Sequence, residues 1–302
     1  MFMTEVLISV VIPAYNYADT LPRAVNSVVG QLRDARAELL VIDDGSTDAT
    51  PQVLEQLQAE HSGCFRVLRK PNGGLASVRN RGIEEARGPY LIFLDADDEM
   101  APGALAALTR HISSNPASRM IIGGHWSVFA DGRRALHAVQ PLPATPRERV
   151  RGYLLDKTIS LSNGACAMHR EVFGPGNYPE HLRCVEDIPV FAQVLAGFPC
   201  SVLDAPLALI HKHDDSLRHD LKQALAAGVG MVDEVFSPAR LPELQDLRRA
   251  FMAQRCLSLF RACYSAGDYV NAKAFYTQAV RTDVRSLTRW TYTRKAIRLL
   301  FK

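Results

Sequence analysis

The chain has 302 residues, 47% of them hydrophobic and 22% charged. That balance suits a soluble globular protein built as one large domain, or as one domain with an appendage. The net charge of +3 is unevenly spread: residues 285–302 carry Arg285, Arg289, Arg294, Lys295, Arg298 and Lys302 and no acid, which leaves the remainder at −3. A slightly acidic body argues against nucleic acid as the main partner.

In chain order, Leu7–Ile12 reads as a strand and 20–32 as a helix. Strands follow near 38–43, 65–69 and 90–95, separated by helical stretches near 50–60 and 75–87. Four strands alternating with three helices predict an α/β fold with a Rossmann-like, doubly wound, mostly parallel sheet. Two strand-like runs within 119–139 flank Asp131-Gly132, a hairpin signal, and another strand covers Ala165–His169. Residues 187–197 read as a helix with Pro189 in its first turn. From about 218 the pattern is helical, with Gly267-Asp268 separating helices near 242–265 and 269–281. The expected organisation is a domain over 1–216, its nucleotide-binding half about 1–100 and its acceptor half about 101–216, and a helical C-terminal region over 217–302.

The chemistry lies in the loops after the strands. Leu91-Ile92-Phe93-Leu94 is followed by Asp95-Ala96-Asp97-Asp98. Three carboxylates packed that closely repel one another. A divalent cation bridging them to an anionic ligand relieves that repulsion. Ligands of open parallel sheets bind just beyond the carboxyl ends of the strands, so a metal–phosphate site is expected here. The plainer alternative is a solvated acidic loop capping the helix after Pro102. After the first strand comes Pro13-Ala14-Tyr15-Asn16, and after the second Asp43-Asp44-Gly45-Ser46-Thr47-Asp48. Helix capping is sufficient reason for Asp48. It explains Asp43 and Asp44 less well, and a carboxylate there can accept from a base or a ribose. In Lys70-Pro71-Asn72-Gly73-Gly74, two glycines before a helix permit close approach of a ligand to backbone N–H groups. Arg79 and Arg81 could bind phosphate or merely solvate a helix face.

Together, Val-Ile-Pro-Ala-Tyr-Asn (11–16), Ile-Asp-Asp-Gly-Ser-Thr-Asp (42–48), Asn-Gly-Gly-Leu-Ala-Ser-Val-Arg-Asn-Arg-Gly (72–82) and Leu-Asp-Ala-Asp-Asp (94–98) resemble the family 2 glycosyltransferases. These are inverting enzymes of the GT-A fold that use nucleotide-diphosphate sugars. The resemblance is strong over 7–100 and extends to about 216; the C-terminal helices lie outside it. It implies that Pro13, Ala14, Tyr15 and Asn16 pack on the nucleotide base and that Asp44 hydrogen-bonds it. It places Asn72, Gly73 and Arg79 near the diphosphate or sugar. It makes Asp97 a ligand of Mg²⁺ or Mn²⁺ and gives Asp95 the ribose or a metal-bound water, with Asp98 capping the next turn.

Cys184-Val185-Glu186-Asp187 resembles the family's later acidic pair, which puts Asp187 at the catalytic-base position. Inversion is one displacement, so one base on the acceptor side suffices. The metal stabilises the leaving diphosphate and removes the need for an acid there. Acids opposing a helix dipole are the plain alternative. Ser162-Asn163-Gly164-Ala165 corresponds to a loop facing the acceptor, or is a simple turn. Within His211-Lys212-His213-Asp214-Asp215-Ser216, His213 aligns better than His211 with a histidine that meets the metal or diphosphate; an ordinary surface histidine is the alternative.

In the basic tail, Leu287, Trp290, Ile297, Leu300 and Phe301 share one helical sector. That sector suits an anionic membrane surface or the protein's own helical region. The N-terminus lacks a basic region followed by an apolar stretch, no apolar run is long enough to span a bilayer, and no two of the six cysteines have zinc or redox spacing. The expected location is the cytoplasm, peripheral at the inner face of the membrane. The expected partners are a nucleotide-diphosphate sugar and a glycan or lipid-linked glycan, such as a lipopolysaccharide core or another cell-envelope polysaccharide. A nucleotidyltransferase is the enzymatic alternative, but it should carry a glycine- and lysine-rich loop after the first strand. A non-catalytic nucleotide- or glycan-binding module is the non-enzymatic one.

Overall fold

A computed structural model describes residues 5–212 and 221–299. The chain divides into two compact units, the first made of residues 1–143, 160–180 and 197–214 and the second of 144–159, 181–196 and 215–302. The second unit therefore draws in two segments, 144–159 and 181–196, that chain order alone groups with the first.

The strands of the first unit are β1 (Ile8–Ala14), β2 (Ala37–Asp43), β3 (Arg66–Arg69), β4 (Tyr90–Phe93), β5 (Glu99–Met100), β6 (Met120–Val128), β7 (Arg134–His137), β8 (Cys166–His169) and β9 (Cys200–His211). They form one sheet in the order β3-β2-β1-β4-β8-β6-β9-β5, with β7 on β6. Strands β3, β2, β1 and β4 are mutually parallel, and β8 enters antiparallel between β4 and β6. Every residue of β1 and β4 is buried. Strands covered on both faces read as continuous apolar runs, which is why this half was legible. Helices α1 (Leu21–Val29), α2 (Thr50–Glu60), α3 (Leu75–Glu85) and α4 (Ala104–Ser114) belong to this unit. Helix α1 buries Leu21, Ala24, Val25 and Val28, one face at helical spacing.

Strand β9 is a departure from the sequence reading. Its segment contains Asp204 and Pro206, which argue against a buried strand. Pro206 sits opposite Gly124, where the β6–β9 register shifts, and such an irregularity tolerates a residue with no N–H to donate.

The second unit contains α5 (Pro146–Arg151), α6 (Asp187–Gly197), α7 (Leu221–Ala227), α8 (Met231–Val235), α9 (Arg248–Ser265), α10 (Tyr269–Thr282) and α11 (Trp290–Arg298). Its core includes Cys256, Leu257, Phe260, Cys263, Ala272, Ala279 and Leu299. Cys256 and Cys263, two turns apart in α9, are each fully buried. The tail is not one helix. A 3-10 turn over Val284–Thr288 ends at Arg289, whose ψ of 74° is not helical, and α11 starts afresh.

Candidate active site

Strand register builds the site. Ala14, Asp43 and Arg69 are paired across β1, β2 and β3, so the three strands end level and their loops emerge side by side. Strand β4 ends beside them, with Phe93 paired to Val11. The four loops singled out in the sequence thus share the carboxyl edge of one parallel sheet, where open α/β sheets bind ligands.

The first loop contributes less than expected. Pro13 and Ala14 are buried within β1, which leaves Tyr15, 43% exposed, and the exposed Asn16 to meet a ligand. Asn16, at φ +59°, braces the next loop: its Oδ1 accepts from the N–H of Thr47 at 2.8 Å, and its own N–H donates to Ser46 Oγ at 2.9 Å.

Asp44 is 2% exposed. It accepts from Lys70 Nζ at 2.6 Å, the Gly73 N–H at 3.0 Å and the Gly74 N–H at 2.8 Å. The glycine amides expected to face a phosphate are bound instead to this carboxylate, which sits at the α3 N-terminus as an internal anion. Asn72 donates to the Asp44 carbonyl at 3.1 Å. Asp44 therefore anchors the glycine loop, and a base contact would draw on its remaining lone pair. Gly74 opens α3 at φ +87°, ψ 168°, a conformation open essentially to glycine alone. Asp43 is also buried, its carboxylate accepting from the Ser46 N–H and pairing with Arg69 at 3.0 Å.

Arg79 is not a surface arginine. It is 3% exposed, donates to Asp95 Oδ1 at 3.3 Å and lies 5.3 Å from the centre of the Tyr178 ring. Tyr178 donates its hydroxyl to Asn163 Oδ1 at 2.7 Å, and its backbone exchanges hydrogen bonds with the Asn80 amide. Asn163 lies in the loop assigned to the acceptor, so that loop is tied through Tyr178 to Arg79 and the acidic turn. Tyr178 escaped the sequence reading because a lone Tyr carries no motif, and Asn80, though inside the 72–82 motif, has no role assigned by it.

The acidic turn closes with the Asp98 N–H donating to the Asp95 carbonyl at 3.0 Å. Helix α1 clamps it: Thr20 donates to the Ala96 carbonyl at 2.9 Å and Arg23 to the Asp97 carbonyl at 2.5 Å. Asp98 is 5% exposed and accepts from the His211 N–H at 2.9 Å, so it fastens β9 rather than capping a turn. Burial first, then the charges of Asp95 and Asp97, push its carboxyl up to about 8. Burial and the same three acids push the Tyr17 phenol up to about 12, which places Tyr17 beside the cluster. His211 pairs with Glu99 at 2.7 Å, and His213 lies outside the described residues.

Asp98 is buried, whereas Asp95 and Asp97 are only half-buried and present hard oxygen donors. Among the described residues no three His, Cys, Asp or Glu side chains form a metal cage. The pair fits an ion such as Mg²⁺, which is commonly held by one or two carboxylates and completed by substrate oxygens.

The Glycosyl transferase family 2 profile matches residues 9–174, more than half of the chain. The chain belongs to that family. This family 2 glycosyltransferase is 33% identical over 126 residues to a chondroitin synthase of Pasteurella multocida, covering 42% of this chain and 13% of the relative. It is 41% identical over 95 residues to the glycosyltransferase YibD of Escherichia coli, covering 32% of this chain and 27% of that one. The match spans about half the length of the first of its curated relatives, 47%, and much less of these two. Staphylococcus aureus TarS 1–349 in complex with UDP-GlcNAc shares the fold at a TM-score of 0.65 and 18% identity, covering 97% of this chain and 89% of that one. A Pyrobaculum calidifontis mannosyltransferase in complex with GDP-Man and Mn²⁺ shares it at 0.52 and 16%, covering 98% and 86%. The GT-A fold expected from the motifs is the fold of the glycosyltransferase. The family match ends before Asp187, which begins α6 in the second unit, half-buried and next to the buried Glu186. No described helix is long and apolar enough to cross a membrane.

Proposed function

We propose that this glycosyltransferase moves one sugar, with inversion, from a nucleotide-diphosphate sugar to a hydroxyl of a surface glycan or lipid-linked glycan, using Mg²⁺ or Mn²⁺. The observation that carries the reading is the buried Arg79 guanidinium held against Asp95 at the sheet's carboxyl edge, in the turn that also bears Asp97. A cation and carboxylate oxygens at one place suit a diphosphate with its counter-ion. The solved neighbours named with UDP-GlcNAc, or with GDP-Man and Mn²⁺, support the donor class and a divalent ion. The chondroitin synthase supports a polysaccharide acceptor.

Tyr15 and Asn16 bound the base, and Asp44 keeps the glycine loop and Asn72 in place beside it. Asp95 orients the ribose or a metal-bound water, while Asp97, with His213, would hold the ion. When bound, that ion supplies positive charge against the departing diphosphate. Arg79 adds a fixed charge in a partly buried setting, where it acts more strongly than in water. Asp187 takes the proton from the acceptor hydroxyl. The reaction belongs on the cytoplasmic side of the cell envelope, where nucleotide sugars are used and lipid-linked acceptors are reached.

A thermal-shift panel of UDP- and GDP-sugars, each with and without Mn²⁺, tests the donor assignment. Ligands that bind only the native state raise the melting temperature, by an amount that grows with concentration over Kd. A metal-dependent shift with one donor, followed by turnover, is expected. Shifts without turnover on any glycan acceptor would make the chain a binding module.

A further inference from the structure

Helix α11 has two apolar faces with different surroundings. Tyr292, Ala296 and Leu299 recur at helical spacing and pack into the core of the second unit, where Leu299 is 1% exposed and the Tyr292 ring lies 6.2 Å from Phe260. Thr293 ties the same helix to its surroundings, sharing a hydrogen bond with the Tyr276 hydroxyl at 2.8 Å and donating to the Leu287 carbonyl at 2.9 Å. Lys295 lies 5.4 Å from the centre of the Tyr264 ring. The helix is therefore anchored without its other face.

That other face carries Trp290 and Ile297, two turns apart on one side and 64% and 44% exposed. Val284 and Leu287, in the turn just before it, are 65% and 45% exposed. Around them stand Arg285, Arg289, Arg294 and Arg298, all exposed, none with an ion-pair partner among the described residues. Soluble proteins rarely leave a tryptophan and several aliphatic side chains open together. Unneutralised arginines bordering them add a second requirement, for anionic charge. A polyanion such as an acidic glycan meets the charge but offers no apolar phase. A bilayer surface rich in anionic lipid meets both: aliphatic side chains enter the headgroup–acyl boundary, the indole sits at the interface, and the arginines reach phosphates.

We propose that the Trp290–Ile297 face, with its four arginines, docks the protein on an anionic lipid surface. The proposal concerns this face alone and stands independently of glycosyl transfer. Truncating the tail would not test it, because Leu299 belongs to the core; substitutions on the exposed face do. The experiment is sedimentation of the full chain with phosphatidylcholine vesicles, with or without one-third phosphatidylglycerol, at low and high salt, together with tryptophan emission and melting temperature.

The wild type should sediment with anionic vesicles only, release in high salt, and show a blue shift that is lost in Trp290→Gln. Each charge near such a surface contributes about fivefold to partitioning, so R294Q/R298Q should weaken binding roughly 30-fold. W290Q/I297Q should weaken it on the order of tenfold through lost apolar burial. Melting temperatures of both double variants should stay at the wild-type value, since neither changes a buried residue. Absence of sedimentation, equal binding to neutral vesicles, or binding untouched by either double variant overturns the proposal. So does binding that dextran sulfate displaces with no change in Trp290 emission, which would mark the face as a polyanion site.

Discussion

Asp97 and Asp187 differ in what each is asked to hold, and that difference is measurable. Asp97→Asn removes a metal ligand in the proposed mechanism, so donor affinity by calorimetry in Mn²⁺ should fall and transfer should cease. Folding should survive, because losing one of three neighbouring carboxylates relieves repulsion. Asp187→Asn keeps shape but loses the proton acceptor, so turnover should drop roughly 10²–10⁴-fold with donor affinity retained. Glu186→Gln is the control. Glu186 is 4% exposed, so its substitution should register in the melting temperature more than in turnover. Loss of turnover in Glu186→Gln with retention in Asp187→Asn would move the base by one residue.

Two histidines bear on stability at the same scale. Burial holds the His111 and His169 imidazoles below their ordinary value. The unfolded chain then takes up protons more readily than the native one. Their stabilising contribution is present above about pH 6.5, the unfolded value, and is lost as pH falls through the depressed native values. The melting temperature should therefore decline on acidification below that point. His111→Gln, which can keep a hydrogen bond to Ser201, should flatten part of the decline; an unchanged profile would show that His111 does not contribute.

At the scale of elements, the glycine loop is held by one carboxylate and one backbone conformation. Gly74→Ala forces a side chain into a glycine-only region, and such strain costs about 1–3 kcal/mol. Urea unfolding should show that loss, with donor affinity falling because the start of α3 and Asn72 shift together. Full stability in Gly74→Ala would mean that the loop relaxes without cost. The β9 segment teaches a related lesson: Asp204 and Pro206 hide a strand that exists because a partner with a register shift accommodates them. The tail teaches another. The apolar sector readable in the sequence includes Leu287, Trp290 and Ile297, which stay exposed, whereas packing takes Tyr292, Ala296 and Leu299, outside that sector, into the core.

For the whole molecule, one edge of one sheet should respond to donor. With a nucleotide sugar and Mn²⁺ bound, amide exchange should slow in residues 15–17, 44–48, 70–80 and 94–98, which emerge together beyond β1 to β4. Local opening governs exchange in loops, so ligand contacts there raise protection directly. Protection that spares the 70–80 stretch would detach Arg79 and Asn72 from the donor site.

By itself the sequence determined the parallel half of the sheet, the order of its loops, the family and the acidic turn. Each rests on a local signal: continuous apolar runs for strands buried on both faces, glycine at a positive φ, and carboxylates too close together to be indifferent. Tertiary structure decided the rest, because those outcomes depend on partners distant in sequence. Asp44 became the anchor of the glycine loop only once β2 and β3 ended level and brought Gly73 and Gly74 onto it. Arg79 became a buried cation only because Tyr178, nearly a hundred residues away, covers it while Asp95 faces it. Asp98 came to fasten β9 only because the His211 N–H, far along the chain, meets its carboxylate. Burial and long-range pairing set these roles, and neither is written in the spacing of residues along the chain.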